Sequence, residues 1–335
     1  MSRAVRYKKH LTTLQVFLSI VLVLLTVCVL VKAFFLKAPE QKAAELPAQP
    51  ASSDTDSQQS PEEQAAQEAL RSHLERKGGF YTILLSGLDD DNGGSDTNIL
   101  VAVDTVNGYV YGVSIPRDSK AIIDGKARKI NYAYNKGGTE LLADTVSEQL
   151  GIPVDYTVSV NLKGFTALVD AIGGVDFDVP INMDYDDPIQ NLSIHFKKGV
   201  QHLSGADALR VVRFRHNNDG SGYGSEDLGR MATQQKFLKA VAKKMLSAGN
   251  ILTKIDDYAK IFNQYVDTNL TVGNLAWLGT EVLKMGVDKI DFSTLPNAWK
   301  YPYIYLDPTE TLTLVNTYLN PYVEDRTADD LNIPD

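Results

Sequence analysis

Thiols are all but missing from this chain. Its 335 residues include one cysteine, Cys28, inside an apolar run. The remainder can hold neither a disulfide nor a thiolate metal site or nucleophile. Histidine is scarce as well: of five, His195, His202 and His216 show no metal-ligand spacing with one another. An excess of positive charge is also absent. The formal net charge is −9, whereas a nucleic-acid-binding protein usually presents a basic face, so nucleic acid is not an expected partner. No internal repeat is present.

A long uncharged stretch does occur. Residues 11–36 are almost wholly apolar, enough to cross a hydrocarbon core of roughly 30 Å. Lys32 is their only charge, near the far end, where a lysine can snorkel to the interface. Arg3, Arg6, Lys8 and Lys9 precede the run, and the positive-inside rule places that end in the cytoplasm. A cleaved signal peptide has similar flanks, but this run is longer than a signal core and no small-x-small site closes it promptly. The expected topology is therefore single-pass at the cell membrane. Residues 1–10 are cytoplasmic, 11–36 form a transmembrane helix, and the rest is extracytoplasmic.

Residues 37–78 are rich in Ala, Gln, Glu, Ser and Pro, the composition of a flexible linker. A domain is predicted over 79–325, with a tail over 326–335. Strands are expected at 81–85, 98–103 and 109–115, the last two joined by an Asn107-Gly108 hairpin turn. A helix follows Gly138, then a strand at 156–160, a helix over 162–172 ended by Gly173-Gly174, and a strand at 175–179. Ser204 with Asp207 marks a helix start. A long amphipathic helix is expected over 228–246, with helices near 250–263 and 273–285, a strand at 289–294 and a last helix from Pro308. The acidic run Asp184, Asp186, Asp187 reads as a solvated loop, and the Gly/Ser-rich 219–225 as a mobile one. Interleaved strands and helices predict an α/β class: one domain with a central mixed sheet flanked by helices.

Chemistry concentrates around Arg117. In Ser114-Ile115-Pro116-Arg117-Asp118, Pro116 stops a strand immediately before a charged pair. Arg213, Arg215 and Arg230 lie downstream, Asp89 and Asp96 upstream. Any one of these alone makes an ordinary surface ion pair. Together, on loops at strand ends, they fit a phosphorylated ligand and a divalent metal. A guanidinium fork matches phosphate oxygens, and paired carboxylates suit a hard cation. Asn131 and Tyr132 either contact phosphate or sugar or simply make a turn, and His216 adjoins Arg215 either at the site or in solvent. Leu162, Phe165, Val169 and Ile172 recur at helical spacing, the pattern of a core stripe.

The motifs also follow a particular order. After the Arg117 run come Lys129-Ile130-Asn131-Tyr132-Ala133-Tyr134 and Gly137-Gly138, then Val160-Asn161-Leu162-Lys163-Gly164-Phe165 and Val169-Asp170-Ala171-Ile172-Gly173-Gly174-Val175. Arg213-Phe214-Arg215 and Asp227-Leu228-Gly229-Arg230 with Gln234-Gln235 close the series. This series resembles the LytR-CpsA-Psr family of membrane-anchored cell-envelope phosphotransferases, over roughly residues 80–246 and more weakly to about 322. The resemblance implies transfer of a phosphorylated glycopolymer from a polyprenyl-pyrophosphate carrier to a peptidoglycan hydroxyl, with Mg²⁺ assisting and polyprenyl phosphate leaving. By motif position, Arg117, Arg213, Arg215 and Arg230 would hold the pyrophosphate, Asp89 and Asp96 would bind Mg²⁺, and Gln234 would join Asn131 and Tyr132 on the substrate. Asp118 would be either the base for the acceptor hydroxyl or the partner that orients Arg117. Part of the 162–172 stripe would line a pocket for the polyprenyl chain. Such a set lowers the barrier by opposing the negative charge of the leaving group and transition state.

Two positions depart from the family pattern. Gly94 and Thr233 stand where arginines usually do, with Lys126, Arg128 or Lys129 as candidates to compensate. The departures keep open a binding protein that captures polyprenyl-linked intermediates without turnover. A pyrophosphatase that uses water as acceptor is a further alternative. Direct gene regulation is not, because the ten cytoplasmic residues are too few for a DNA-binding fold.

Overall fold

The computed structural model describes residues 36–42, 73–88, 94–189, 192–224, 226–245 and 255–335. The expected transmembrane run, apart from Leu36, and the candidate ligand Asp89 lie outside these residues. Among the described residues no helix is long and apolar enough to cross a membrane.

A meander opens the sheet: β1 (Phe80–Leu88), β2 (Ser95–Asp104) and β3 (Tyr109–Ile115) pair antiparallel in sequence. The turn between the last two holds Gly108 at φ +73°, as the Asn-Gly pair predicts. A short hairpin, β4 (Lys120–Ile123) with β5 (Lys126–Lys129), leads into α1 (Asn131–Leu150). This helix begins eight residues before its expected start. Gly137 and Gly138 kink it without ending it, Gly138 taking φ +67° and ψ −157°, where a side chain would be strained.

β6 (Tyr156–Asn161) joins β1 in parallel and α2 (Leu162–Ala171) follows at once, with Asn161 Oδ1 accepting from Gly164 N at 2.8 Å. Two ribbons come next. β7 (Val175–Val179) pairs with β10 (Gly199–Leu203), and β8 (Met183–Asp187) with β9 (Leu192–Phe196). The acidic run is therefore a strand, not a loop: Asp184 and Asp186 face solvent while Met183 is buried. His195 bridges these two carboxylates at 2.7 and 3.2 Å. α3 (Gly205–Arg213) starts at the Ser204 cap, whose Oγ accepts from Asp207 N at 3.2 Å. α4 (Glu226–Met245), α5 (Ile255–Tyr265), β11 (Val266–Thr268), α6 (Val272–Met285) and β12 (Ile290–Thr294) succeed it. A hairpin of β13 (Asn297–Lys300) and β14 (Tyr303–Leu306) precedes α7 (Pro308–Leu314).

The described residues fall into two compact units. In the smaller, Thr271 and Asn274 bond reciprocally at a helix start, and Asn274 Nδ2 donates to the Lys37 carbonyl at 2.9 Å. The larger holds a six-stranded mixed sheet in the order β11-β6-β1-β2-β3-β12. One of its cores lies under α1, where Leu84, Leu100 and Val113 meet Leu142, Val146 and Leu150. The other is built from α2, α3, α4 and the ribbons, around Val169, Ile172, Phe177, Val211, Phe214 and Phe237. Residues 326–335, expected as a tail, include Arg326, which is 3% exposed, and Ile333, which packs on the first core. Arg76, from the expected linker, makes a two-pronged pair with buried Asp155 at 3.0 and 2.8 Å.

Candidate functional site

β1, β3 and β6 run in one direction, so their carboxyl ends meet at one edge of the sheet beside the start of β2. Crevices at such edges are common binding places in open α/β sheets. Here a cavity of about 900 Å³ opens, walled by the sheet on one side and by α2, α3 and α4 on the other.

Each charged side chain arrives there for a local reason. Pro116 ends β3 and releases Arg117 and Asp118 at the strand tip. The Asn131 N–H donates to the Arg117 carbonyl at 3.2 Å, which sets the amino end of α1 and Asn131 against the same wall. That helix end favours an anion. Arg213 closes α3, Phe214 continues in extended backbone with its ring buried, and Arg215 follows. Alternation about the buried ring sends both arginines into the cavity. Arg230 and Gln234 are one helical turn apart on α4 and both line the cavity, Arg230 being 7% exposed.

Five cationic side chains, Arg117, Lys129, Arg213, Arg215 and Arg230, thus face two carboxylates, Asp96 and Asp118, among the described lining residues. On a chain of net charge −9 this is a local positive field, suited to an anion with several oxygens. The carboxylates are already engaged. Asp96 pairs with Arg117, and Asp118 lies 3.0 Å from Lys129 Nζ. Asp96 is thus a described partner of Arg117, and Lys129 a described partner of Asp118.

The rest of the lining is largely apolar, including Leu85, Val158, Val160, Leu162, Phe165, Leu168, Leu209, Val212 and Leu238. The expected core stripe divides accordingly. Val169 and Ile172 are buried in the second core, while Leu162 and Phe165 face the cavity. Tyr185 and His216 sit edge to face at 5.4 Å on the rim. Burial raises the Tyr185 hydroxyl above its ordinary pKa and nearby Asp187 adds to this, while Arg215 opposes it. Tyr132 is absent from the lining; its ring is 39% exposed, with Arg128 5.4 Å above it.

Sequence reasoning missed several positions. Asn98 is 1% exposed, and neither its Oδ1 nor its Nδ2 has a hydrogen-bond partner among the described residues. With Asp96, Arg117, Asp118, Arg230 and Ile304 it lines a second, smaller cavity of about 20 Å³, room for one water-sized guest. Strand alternation from Leu100 would have placed Asn98 on the buried face. No group of three His, Cys, Asp or Glu able to hold a metal occurs among the described residues. A hard cation nevertheless fits Asp96 with the orphaned Asn98 amide beside it, provided a phosphate supplies further oxygens, since Mg²⁺ is commonly bound by one or two carboxylates plus substrate phosphates.

The two departures have structural explanations. Gly94 takes φ +100°, and a Cβ there would stand 3.1 Å from Asn135 Oδ1. Thr233 is buried, with its Oγ 2.9 Å from both the Tyr223 hydroxyl and the Gly229 carbonyl. An arginine would meet strained backbone at Gly94 and would displace a buried, hydrogen-bonded hydroxyl at Thr233.

A cavity at the strand ends, lined by both cationic and apolar side chains, defines an α/β protein with a site whose chemistry suits an anion. The chain belongs to the LytR_cpsA_psr family, whose pattern matches residues 46–319. Its relatives include the polyisoprenyl-teichoic acid–peptidoglycan teichoic acid transferase TagV of Bacillus subtilis (strain 168), 37% identical over 202 residues, or 57% of this chain and 50% of TagV. The transferase TagU of Bacillus cereus is 36% identical over 195 residues, 57% of this chain and 60% of TagU. The match thus spans half to three-fifths of the length of these relatives. The crystal structure of B. subtilis TagV superposes with a TM-score of 0.61 at 32% identity, covering 72% of this chain and 96% of that one. TagT bound to LI-WTA gives 0.56 at 26%, covering 71% and 88%.

Proposed function

We propose that this chain transfers a phosphorylated glycopolymer from a polyprenyl-pyrophosphate carrier to a peptidoglycan hydroxyl, releasing polyprenyl phosphate. The observation that carries this reading is one cavity lined by both a cluster of cations and a run of apolar side chains, which suits a pyrophosphate on a lipid chain. Family membership and the activities for which TagV and TagU are named support it. The domain acts outside the cytoplasm, tethered by the apolar run at 11–36.

In this mechanism Arg213, Arg215 and Arg230 grip the pyrophosphate while Arg117, steadied by Asp96, faces the phosphorus under attack. The acceptor oxygen forms a bond to the sugar-linked phosphorus as the bridging P–O bond breaks, and the electron pair leaves with polyprenyl phosphate. The hydroxyl proton passes to Asp118, the lining carboxylate whose described partner is an ammonium rather than a guanidinium. Pre-aimed guanidiniums stabilise the charge gathering on the oxygens. A Mg²⁺ ion held by Asp96, and by Asp89 outside the described residues, would neutralise pyrophosphate charge and fix its orientation.

The test is turnover by the full-length chain in detergent with a polyprenyl-pyrophosphate saccharide and peptidoglycan, followed by mass spectrometry. Arg117→Ala is expected to lower transfer about 10²–10³-fold, and a chelator to lower it as well. Free sugar phosphate without acceptor linkage would identify a hydrolase. Tight binding with an intact donor would identify the capture protein that Gly94 and Thr233 keep in view.

A further inference from the structure

The β13–β14 hairpin carries a surface that the large cavity does not use. Tyr301 is 86% exposed and Trp299 60%, two rings separated only by Lys300 at the hairpin tip. Trp299 pairs in register with Ile304, so the two side chains stand on one face of the ribbon. Ile304 lines the small cavity beside Arg117, Asp118 and Arg230, and its N–H donates to the Asp118 carbonyl at 2.9 Å. Trp299 thus begins one strand spacing, about 5 Å, from a wall of the charged site.

The hairpin is braced, so the outer rings are presented rather than loose. The Tyr303 hydroxyl donates to the Ala127 carbonyl at 3.2 Å, tying this ribbon to β4–β5. The Tyr305 ring lies under two ammonium groups, Lys120 at 5.0 Å and Lys300 at 5.7 Å. Tyr303 and Tyr305 meet edge to face at 6.4 Å. Lys126, Arg128 and Lys300 are exposed across the two ribbons and bring positive charge to an acidic chain.

Rigid aromatic rings offer flat, electron-rich faces and lose little entropy on binding. Such faces stack on the C–H face of a pyranose, and the neighbouring cations match carboxylates. A lipid surface would also accept Trp, Tyr and Lys. Against it, Ile304, on the same ribbon face as Trp299, lines the small cavity beside Arg117, Asp118 and Arg230, which places the rings next to the charged groups of the site. We propose that Trp299 and Tyr301, with the exposed cations of the two ribbons nearby, form the docking platform for the acceptor, a peptidoglycan strand bearing carboxylates. This inference rests on the transferase reading of the cavity, but it has a readout of its own.

Full-length chain in detergent is sedimented with purified peptidoglycan sacculi, and acceptor and donor KM are measured in parallel. The Trp299→Ala/Tyr301→Ala double variant is expected to bind sacculi at least about tenfold more weakly. Its acceptor KM rises by a similar factor while donor KM holds, and Trp299→Phe keeps most of the affinity. Thermal unfolding of both variants near that of the parent excludes a folding defect. Lys300→Ala weakens binding less, and added salt weakens the parent. Unchanged sacculus binding by the double variant, or no binding by the parent, would overturn the platform. So would quenching of Trp299 emission by brominated lipid in nanodiscs, measured in a Trp277→Phe background, which would assign the tip to the membrane. The two readings fail separately. Weaker sacculus binding without any transfer leaves the platform standing and removes the transferase. Normal transfer by the double variant does the reverse.

Discussion

On one face of the central sheet, Leu84, Leu100 and Val113 are fully buried beneath α1; on the other, Leu85, Val158 and Val160 look into about 900 Å³ of open cavity. The strands are the same and the side chains of one kind. Alternation decides which residue goes to which face, but not whether that face is closed. Closure depends on the layer opposite. α1 sends Leu142, Val146 and Leu150 directly onto the sheet. Over the other face, α2 and α3 direct Val169, Ile172 and Val211 into a core shared with the ribbons. α2 comes close to the sheet side at Gly164, where a Cβ would meet Tyr265 Cβ at 2.6 Å and Val160 Cγ1 at 2.9 Å. A cavity stays open because the layer that roofs it has a core of its own.

Truncating each face tests that contrast most strongly. Leu100→Ala should cost about 2–5 kcal/mol in chemical denaturation, the usual range for an emptied core position. Val158→Ala should cost far less, because its side chain already borders open space, and should instead weaken binding of the lipid carrier. Equal costs would mean that the second face is closed in solution.

A smaller effect is expected at the cavity's margin. Gly94→Arg forces a side chain onto backbone at φ +100°, a strain of about 1–3 kcal/mol, and should leave turnover no higher. Faster transfer by this variant would show that the loop re-forms around a missing phosphate contact.

The smallest effect concerns the closing residues behind the packed face. His73 is raised above its usual 6.5, first by its hydrogen bond to Asp330 at 2.9 Å. Burial would raise Asp330, yet bonds from His73 and Thr327 hold it below 3.8. The His73 contribution is complete below pH 6.5 and fades as pH rises through its raised value. The Asp330 contribution is complete above pH 3.8 and fades as pH falls through its lowered value. Hydrogen-exchange protection of the Asp330 and Leu331 amides should therefore peak between those limits. His73→Gln should flatten its upper edge without touching the cavity.

Much of this was legible in the chain. The Pro116 stop, the Asn-Gly hairpin, the Ser204 cap and the alternating Val175–Val179 strand all express local chemistry that holds in the fold. Of the two ribbons packed beside the second core, only β7 was legible. In Met183–Asp187, alternation was present but the aspartates outweighed it, and a ribbon with one exposed face tolerates such composition. Gly137-Gly138 resembled a helix boundary because glycine is costly within helices; the helix continues through the kink at that cost. Among site residues, the arginines stood out by type and order. Val158 and Leu168 did not, because an apolar side chain facing a cavity has the same pattern as one in a core.

Gln235 fixes α4 against the sheet. Its amide nitrogen reaches Ser114 Oγ at 3.0 Å, the Ser293 carbonyl at 2.8 Å and Thr294 Oγ1 at 3.0 Å, bolting α4 to β3 and β12. A helix so fastened cannot turn about its axis. Arg230, Gln234 and Leu238, each one turn beyond the last, are thereby held as a graduated edge along the cavity. At 1.5 Å per residue the rule from charge to grease is about 12 Å long. On the transferase reading, a lipid carrier in this cavity would lie along that edge, headgroup at one mark and first hydrocarbon at another. The pitch of a single helix would then gauge the proportions of the carrier.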